Sequence, residues 1–172
     1  APTAPAAAAP TPPASGAGGR RPTLLHLFAG ADGAGGRISD YGRAAGLNVI
    51  SVDKLTGWEL QDDAQYNWLV ARAVAGDIDF VVAGIPCETH SIARHRPHAG
   101  ASGGRARPLR DRRRGGAPFP WLTNTERRKV ALSDKLTKRA CTIIRKAVAA
   151  GAGYIIENPV DRGAGPYEWR WA

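Results

Sequence analysis

Residues 23–36 read Thr-Leu-Leu-His-Leu-Phe-Ala-Gly-Ala-Asp-Gly-Ala-Gly-Gly. The apolar run Leu24–Phe28 is short and stops at Ala29-Gly30, the pattern of a buried strand entering a glycine turn. Working outward, Ile38–Ala45 is helix-compatible and ends at Gly46, and Asn48–Asp53 is a β-branched second strand closing on an acid. Residues Asp62–Ala75 predict a helix with Tyr66, Leu69, Val70, Ala73 and Val74 on one face, closed by Gly76. Asp79–Gly84 is near-continuously apolar, as strands of parallel sheets are. Thr123-Asn124-Thr125-Glu126 predicts a capping box that opens a long helix. Leu136, Ala140, Ile143, Ile144, Ala147 and Val148 form its apolar stripe, and Gly151 ends it. Tyr154–Glu157 is a fourth strand running into Asn158-Pro159. Strands alternating with helices imply an α/β fold, a mostly parallel sheet with helices on both faces.

The chain has 172 residues, room for one domain and a tail. The domain is expected over 23–172, including an irregular Arg/Gly/Pro-rich basic loop at 94–118. Residues 1–22 are almost all Ala, Pro, Gly and Ser and read as a disordered tail or linker, with an organelle transit peptide as the alternative. The first residue is Ala1 and Met is absent, which suggests a processed chain or a piece of a longer one. A net charge of +9 points to a polyanionic partner. No apolar run approaches the roughly 18 residues of a membrane helix. Two cysteines exclude a disulfide-dense scaffold and a four-cysteine zinc site.

In such a sheet, ligands bind at the carboxyl ends of the strands. Gly30, Gly33 and Gly35 let the backbone approach a ligand, and an acid at the end of a second strand can accept from a ribose diol. These glycines with Asp53 suit an adenosine-containing cofactor; the alternative is a plain glycine turn with a solvated acid. No Gly-Lys-Ser/Thr follows, which argues against a nucleoside triphosphatase. Cys87 follows Pro86 just past the third strand. Arg94 and Arg96, if folded close, would favour its thiolate, the nucleophilic form; the alternative is an inert buried thiol. Cys141 lies between Ala140 and Ile143 on a helix and reads as packing. Cys87, His90, His95 and His98 match no common zinc spacing, and an arginine-rich loop repels a cation, so no metal is expected. Glu157 ends a strand of large apolar residues, where partial desolvation would raise its pKa; the alternative is a carboxylate paired with an arginine. The arginines of the basic loop, Arg94, Arg96, Arg105, Arg107, Arg110, Arg112, Arg113 and Arg114, face one acid, Asp111, and suit backbone phosphates. A solvated Arg/Gly loop is the alternative.

Together LFAG with its glycine cluster, Asp53, DFVVAGIPC and IIENP resemble, in order, the motifs of the DNA (cytosine-5) methyltransferase family over roughly Thr23 to Asp161. The likeness is to a divergent branch of algae and large viruses, in which ENP replaces ENV and an Arg-Pro-Leu-Arg segment such as Arg107–Arg110 follows the cysteine. The resemblance implies a Rossmann-like S-adenosylmethionine-dependent fold, incomplete at its C-terminus, that methylates carbon 5 of cytosine in DNA. It makes Cys87 the nucleophile and Glu157 the group at ring nitrogen 3, with Asn158 and Ser91 holding the site. Phe28, Gly30, Asp53, Asp63 and Pro86 would hold S-adenosylmethionine, alongside the loop glycines Gly33 and Gly35. The loop after the cysteine would grip DNA through Arg94, Arg96, Arg107, Arg110, Arg112, Arg113 and Arg114.

The sequence departs from the family pattern in places. The glycine segment is long and carries Asp32, Ile85 stands where a second proline is common, Glu88 replaces a frequent Gln, and His90 replaces an aromatic residue. The family's later arginine motif and target-recognition region are not in these 172 residues, so a second protein or a missing C-terminal region is expected to supply target recognition. A DNA substrate implies the nucleus, or an organelle if residues 1–22 are a transit peptide. Two alternatives are a catalytically inactive nucleic-acid-binding module of the same fold and an RNA cytosine methyltransferase.

Overall fold

The structure, a computed structural model, describes residues 19–31, 37–90 and 107–157. Among them one compact unit is built from 19–31, 37–84 and 139–156, and another from 85–90, 107–138 and Glu157. The excursion between the third strand and the middle of the long helix builds its own apolar cluster of Leu109, Leu122 and Val130, with Phe119 packed against it.

The first unit holds a four-stranded sheet. Its strands are β1 (Thr23–Leu27), β2 (Asn48–Val52), β3 (Phe80–Gly84) and, last in the chain, β6 (Gly153–Glu157), in the order β2-β1-β3-β6. β1 is parallel to β2, with Leu25 opposite Ile50, and parallel to β3, with Leu25 opposite Val81. Gly153 donates its N–H to Asp79 O at 3.0 Å, so β6 and β3 start at the same edge and run the same way. Every residue of β1 is buried. Alternate residues of a strand face opposite ways, so both faces of the sheet are covered at its middle. The one histidine in β1, His26, is satisfied by Ser39 Oγ at 2.8 Å, which accepts in turn from Ser51 Oγ.

The helices fall close to their expected bounds. α1 (Ile38–Ala44) packs on β1 and β2, and α2 (Asp63–Val74) is capped by Asp62, whose carboxylate accepts from Gln65 N–H. Leu69 and Ala73 are the buried positions of α2; Val74, expected on the same face, points out and is 60% exposed. It is the last residue of the helix. The 26-residue α3 (Asn124–Ala149) begins at the expected box: Thr123 N–H donates to Glu126 Oε2 and Glu126 N–H to Thr123 Oγ1. Residues 110–118 form a hairpin of β4 (Arg110–Asp111) and β5 (Ala117–Pro118) where an irregular loop was expected. Its turn uses Gly115 and Gly116, both left-handed. Residues 91–106 lie outside the described residues. No helix among the described residues is long and apolar enough to cross a membrane.

Candidate active site

The sheet order turns back on itself at β1: β2 lies on one side and β3 on the other. A parallel sheet opens a crevice at such a switch point, outside the carboxyl ends. The chain leaving β1 there is Phe28-Ala29-Gly30. Phe28 and Ala29 both donate to Val52 O, at 2.7 and 3.3 Å, which bends the turn back over β2. Phe28 takes φ +61°, a left-handed backbone rarely adopted by a bulky residue. Such strain costs on the order of 1–3 kcal/mol and persists where surrounding contacts over-determine it, commonly at ligand sites.

Asp53, the N-cap of a short 3₁₀ turn, uses both carboxylate oxygens on backbone. Oδ2 accepts from Gly30 N–H at 3.0 Å and Oδ1 from Leu55 N–H at 2.9 Å. One acid therefore joins the two expected cofactor segments. Gly30 is left-handed, and a Cβ there would lie 2.6 Å from Arg37 Nη1. Arg37 folds its guanidinium across this turn onto the carbonyls of Ala29 and Ala31. Arg37 was missed by reading the sequence because its partners are backbone atoms. Gly33 and Gly35 lie outside the described residues. Asp63 begins α2 and forms an ion pair with Arg139 of α3. Arg139 also donates to Leu60 O at 2.7 Å and Gln61 O at 3.1 Å and lies over the Tyr66 ring. Asp63 is thus engaged in anchoring the loop ahead of α2. Asp79, which leads the cysteine motif, sits at the opposite edge of the sheet, accepting from Arg20 at 2.7 Å and Thr23 N–H at 2.6 Å.

In the second unit, Cys87 stands three residues beyond the end of β3 and is exposed. Cys87 O accepts from His90 N–H at 2.9 Å, closing a turn over 87–90. Thr89, buried inside that turn, donates to Ser133 Oγ at 3.0 Å, and Ser133 Oγ lies 3.5 Å from Pro86 O. Pro86 was expected to hold the cofactor; its carbonyl is here a partner of Ser133. Glu88 pairs with Lys129 at 3.6 Å. Loss of hydration, then the nearby Arg110 charge, push the pKa of His90 down, against an opposing pull from Asp134.

Of the arginines assigned to DNA, Arg110 proves to be internal, and Arg107, still partly exposed, is paired with an acid. Arg110 is buried; its Nε donates to Thr89 Oγ1 at 3.1 Å, Nη1 to Gly116 O at 3.2 Å, and Nη2 to Asp134 Oδ1 at 2.7 Å and Val130 O at 3.4 Å. A guanidinium so enclosed is no surface phosphate ligand. Arg107 grips Glu126 with two nitrogens, at 2.8 and 2.5 Å, and lies over the Trp121 ring, which stacks on Phe119. Arg113 and Arg114 are exposed near the hairpin tip. Arg112 belongs to the same turn, while Arg94 and Arg96 lie outside the described residues.

The clasp has a pH signature. The hydrogen bonds from Arg107, followed by those from Thr123, hold the Glu126 carboxyl down at about 2, against an ordinary 4.5. A carboxylate depressed on folding contributes its stability above the ordinary value and loses it as pH falls through the folded one. The first turn of α3 is therefore expected to be intact above pH 5 and to loosen between about pH 4.5 and 2. Amide exchange at residues 126–128 reads this, and Glu126→Gln should flatten the dependence.

Glu157 ends β6 as expected, but the strand end is exposed, together with Tyr154, Ile155 and Ile156. The premise of partial desolvation is corrected: β6 is the edge strand, with no described neighbour beyond it. Asn158 and Ser91 lie outside the described residues. Cys141 is half-buried on α3. Among the described residues no group of three His, Cys, Asp or Glu could hold a metal ion; His95 and His98 fall outside them. Set against known proteins, the chain matches no family model, no curated protein and no solved structure.

Proposed function

We propose that this chain carries the cofactor-binding strand ends and the nucleophile of an S-adenosylmethionine-dependent enzyme that methylates carbon 5 of cytosine in DNA. The observation that carries the proposal is the thiol. Cys87, three residues along the chain from the end of β3, is exposed on a hydrogen-bonded turn, whereas a lone structural cysteine is usually packed away.

The residues at the carboxyl ends of β1 and β2 fit the cofactor. Asp53 is an acceptor-only carboxylate with lone pairs beyond the two used by Gly30 and Leu55, the acceptor a ribose diol needs. Gly30 and the left-handed Phe28 keep the turn tight, and Arg37 brings a cation suited to the amino-acid carboxylate. Bound S-adenosylmethionine would supply an electrophilic methyl group, its sulfur–methyl bond breaking to leave S-adenosylhomocysteine.

The remaining chemistry belongs to the protein. The target cytosine leaves the base stack, which costs a few kcal/mol. The Cys87 thiolate forms a bond to carbon 6 while Glu157 holds a proton at ring nitrogen 3. The ring electrons then gather at carbon 5, which takes the methyl group. A base removes the carbon 5 proton, the carbon 5–carbon 6 double bond re-forms, and the sulfur leaves as thiolate. Arg113 and Arg114, exposed, are assigned to DNA phosphates. With Arg110 buried and Arg107 paired with Glu126, sequence readout is assigned to a partner protein or to further sequence.

The test is covalent trapping. Duplex DNA containing 5-fluorocytosine has no removable proton at carbon 5, so the sulfur cannot leave after methyl transfer. With cofactor present, a denaturing gel is expected to show a protein–DNA adduct. Absence of the adduct overturns the proposal, as does equal trapping by Cys87→Ser. Preferential trapping on RNA would move the substrate assignment from DNA to RNA.

A further inference from the structure

We propose that Arg110, acting through Thr89 and Ser133, is a positioning residue that orients the turn carrying Cys87; the inference rests on the assignment of Cys87 as nucleophile. The argument starts from donor inventory. A guanidinium donates and never accepts, so Thr89 Oγ1 must accept from Arg110 Nε at 3.1 Å. A hydroxyl has one proton, and with an arginine proton on its oxygen Thr89 sends its own to Ser133 Oγ, 3.0 Å away. Pro86 O, 3.5 Å from Ser133 Oγ, can only accept and takes the serine proton, so Ser133 Oγ accepts from Thr89. A donor-only guanidinium at one end and an acceptor-only carbonyl at the other therefore fix the direction of every bond in the chain.

That chain holds the peptide on both sides of Cys87, at Pro86 and at Thr89. The His90 N–H to Cys87 O bond closes the same turn. Arg110, Thr89 and Ser133 are 6%, 4% and 5% exposed, so water does not compete for these bonds, whereas the thiol they frame is open. Networks of this kind strengthen one another in a dry setting. Their placement matters because a misplaced reacting atom costs a rate factor out of proportion to the displacement.

The substitutions that separate positioning from general stability are Thr89→Val, which keeps the shape and deletes the hydroxyl, and Thr89→Ser, which keeps the hydroxyl. In Thr89→Val, kcat for methyl transfer is expected to fall roughly ten- to a hundred-fold with KM for DNA unchanged. Amide exchange at His90 is expected to accelerate about ten-fold, while Thr89→Ser stays near wild type in both. Should Thr89→Val not fold, Ser133→Ala is read the same way. Wild-type His90 exchange in a folded hydroxyl-deleted variant, or an equal loss in Thr89→Ser, overturns the inference. A wild-type protein that transfers no methyl group would instead overturn the methylation proposal, and His90 exchange would still decide whether the network orders the turn.

Discussion

Cys87→Ser is expected to lower methyl transfer by on the order of 10³- to 10⁶-fold, the range found when a covalent nucleophile is removed from an enzyme. The substitution changes one atom on an exposed turn, so the fold has little reason to respond. The chemistry has every reason to. An ordinary thiol is a few per cent ionised at neutral pH and its anion is a strong nucleophile, whereas a serine hydroxyl needs an adjacent base to act at all. Incorporation of a labelled methyl group into DNA, with thermal unfolding run alongside, checks the result. The control is Cys141→Ala, which removes the half-buried thiol on α3 and should leave transfer unchanged. Transfer by Cys87→Ser at more than a tenth of the wild-type rate would exclude a covalent sulfur step.

The second large effect is structural. Leu25 is fully buried at the middle of β1, beside Ile50 of β2 and Val81 of β3. Leu25→Ala removes side-chain carbons from a position enclosed by strands that cannot collapse inward, and is expected to cost about 2–5 kcal/mol. Against a total stability of roughly 5–15 kcal/mol, that is a large share. It corresponds to a fall in melting temperature of roughly 5–20 °C for a chain of this size. Urea or thermal unfolding reads it. Ile155→Ala on the exposed edge strand provides the contrast and should stay within about 0.5 kcal/mol. Equal losses at the two positions would mean that the β6 edge is covered in solution.

The difference between Leu25 and Ile155 also marks the limit of reading a sequence. Both sit in short apolar runs ended by a turn signal, and both were read correctly as strand. The order β2-β1-β3-β6, which makes one central and the other an edge, depends on which strands pair. Nothing within five residues carries that information. The expected desolvation of Glu157 failed for this reason. Arg139 and Arg37, which hold the loops around the candidate cofactor site, were invisible for a related one: most of their partners are backbone carbonyls, and every residue has one.

Taken alone, the order of amino acids determined what is local in this protein. The apolar runs placed four parallel strands, the Thr123–Glu126 box set the start of α3, and glycines at 46, 76 and 151 ended three helices with left-handed backbones. Each depends on torsions and hydrogen bonds within a few residues, so the neighbours in the chain are the neighbours in space. Tertiary structure decided how the charges are used. Arg110 and Arg113 stand three residues apart in one basic run and look alike on paper. One is sealed among Thr89, Val130 and Asp134, and the other is exposed near the hairpin tip. A long cationic side chain takes its role from whichever acceptors the fold brings within about 3 Å, and here those acceptors lie some twenty residues away on either side.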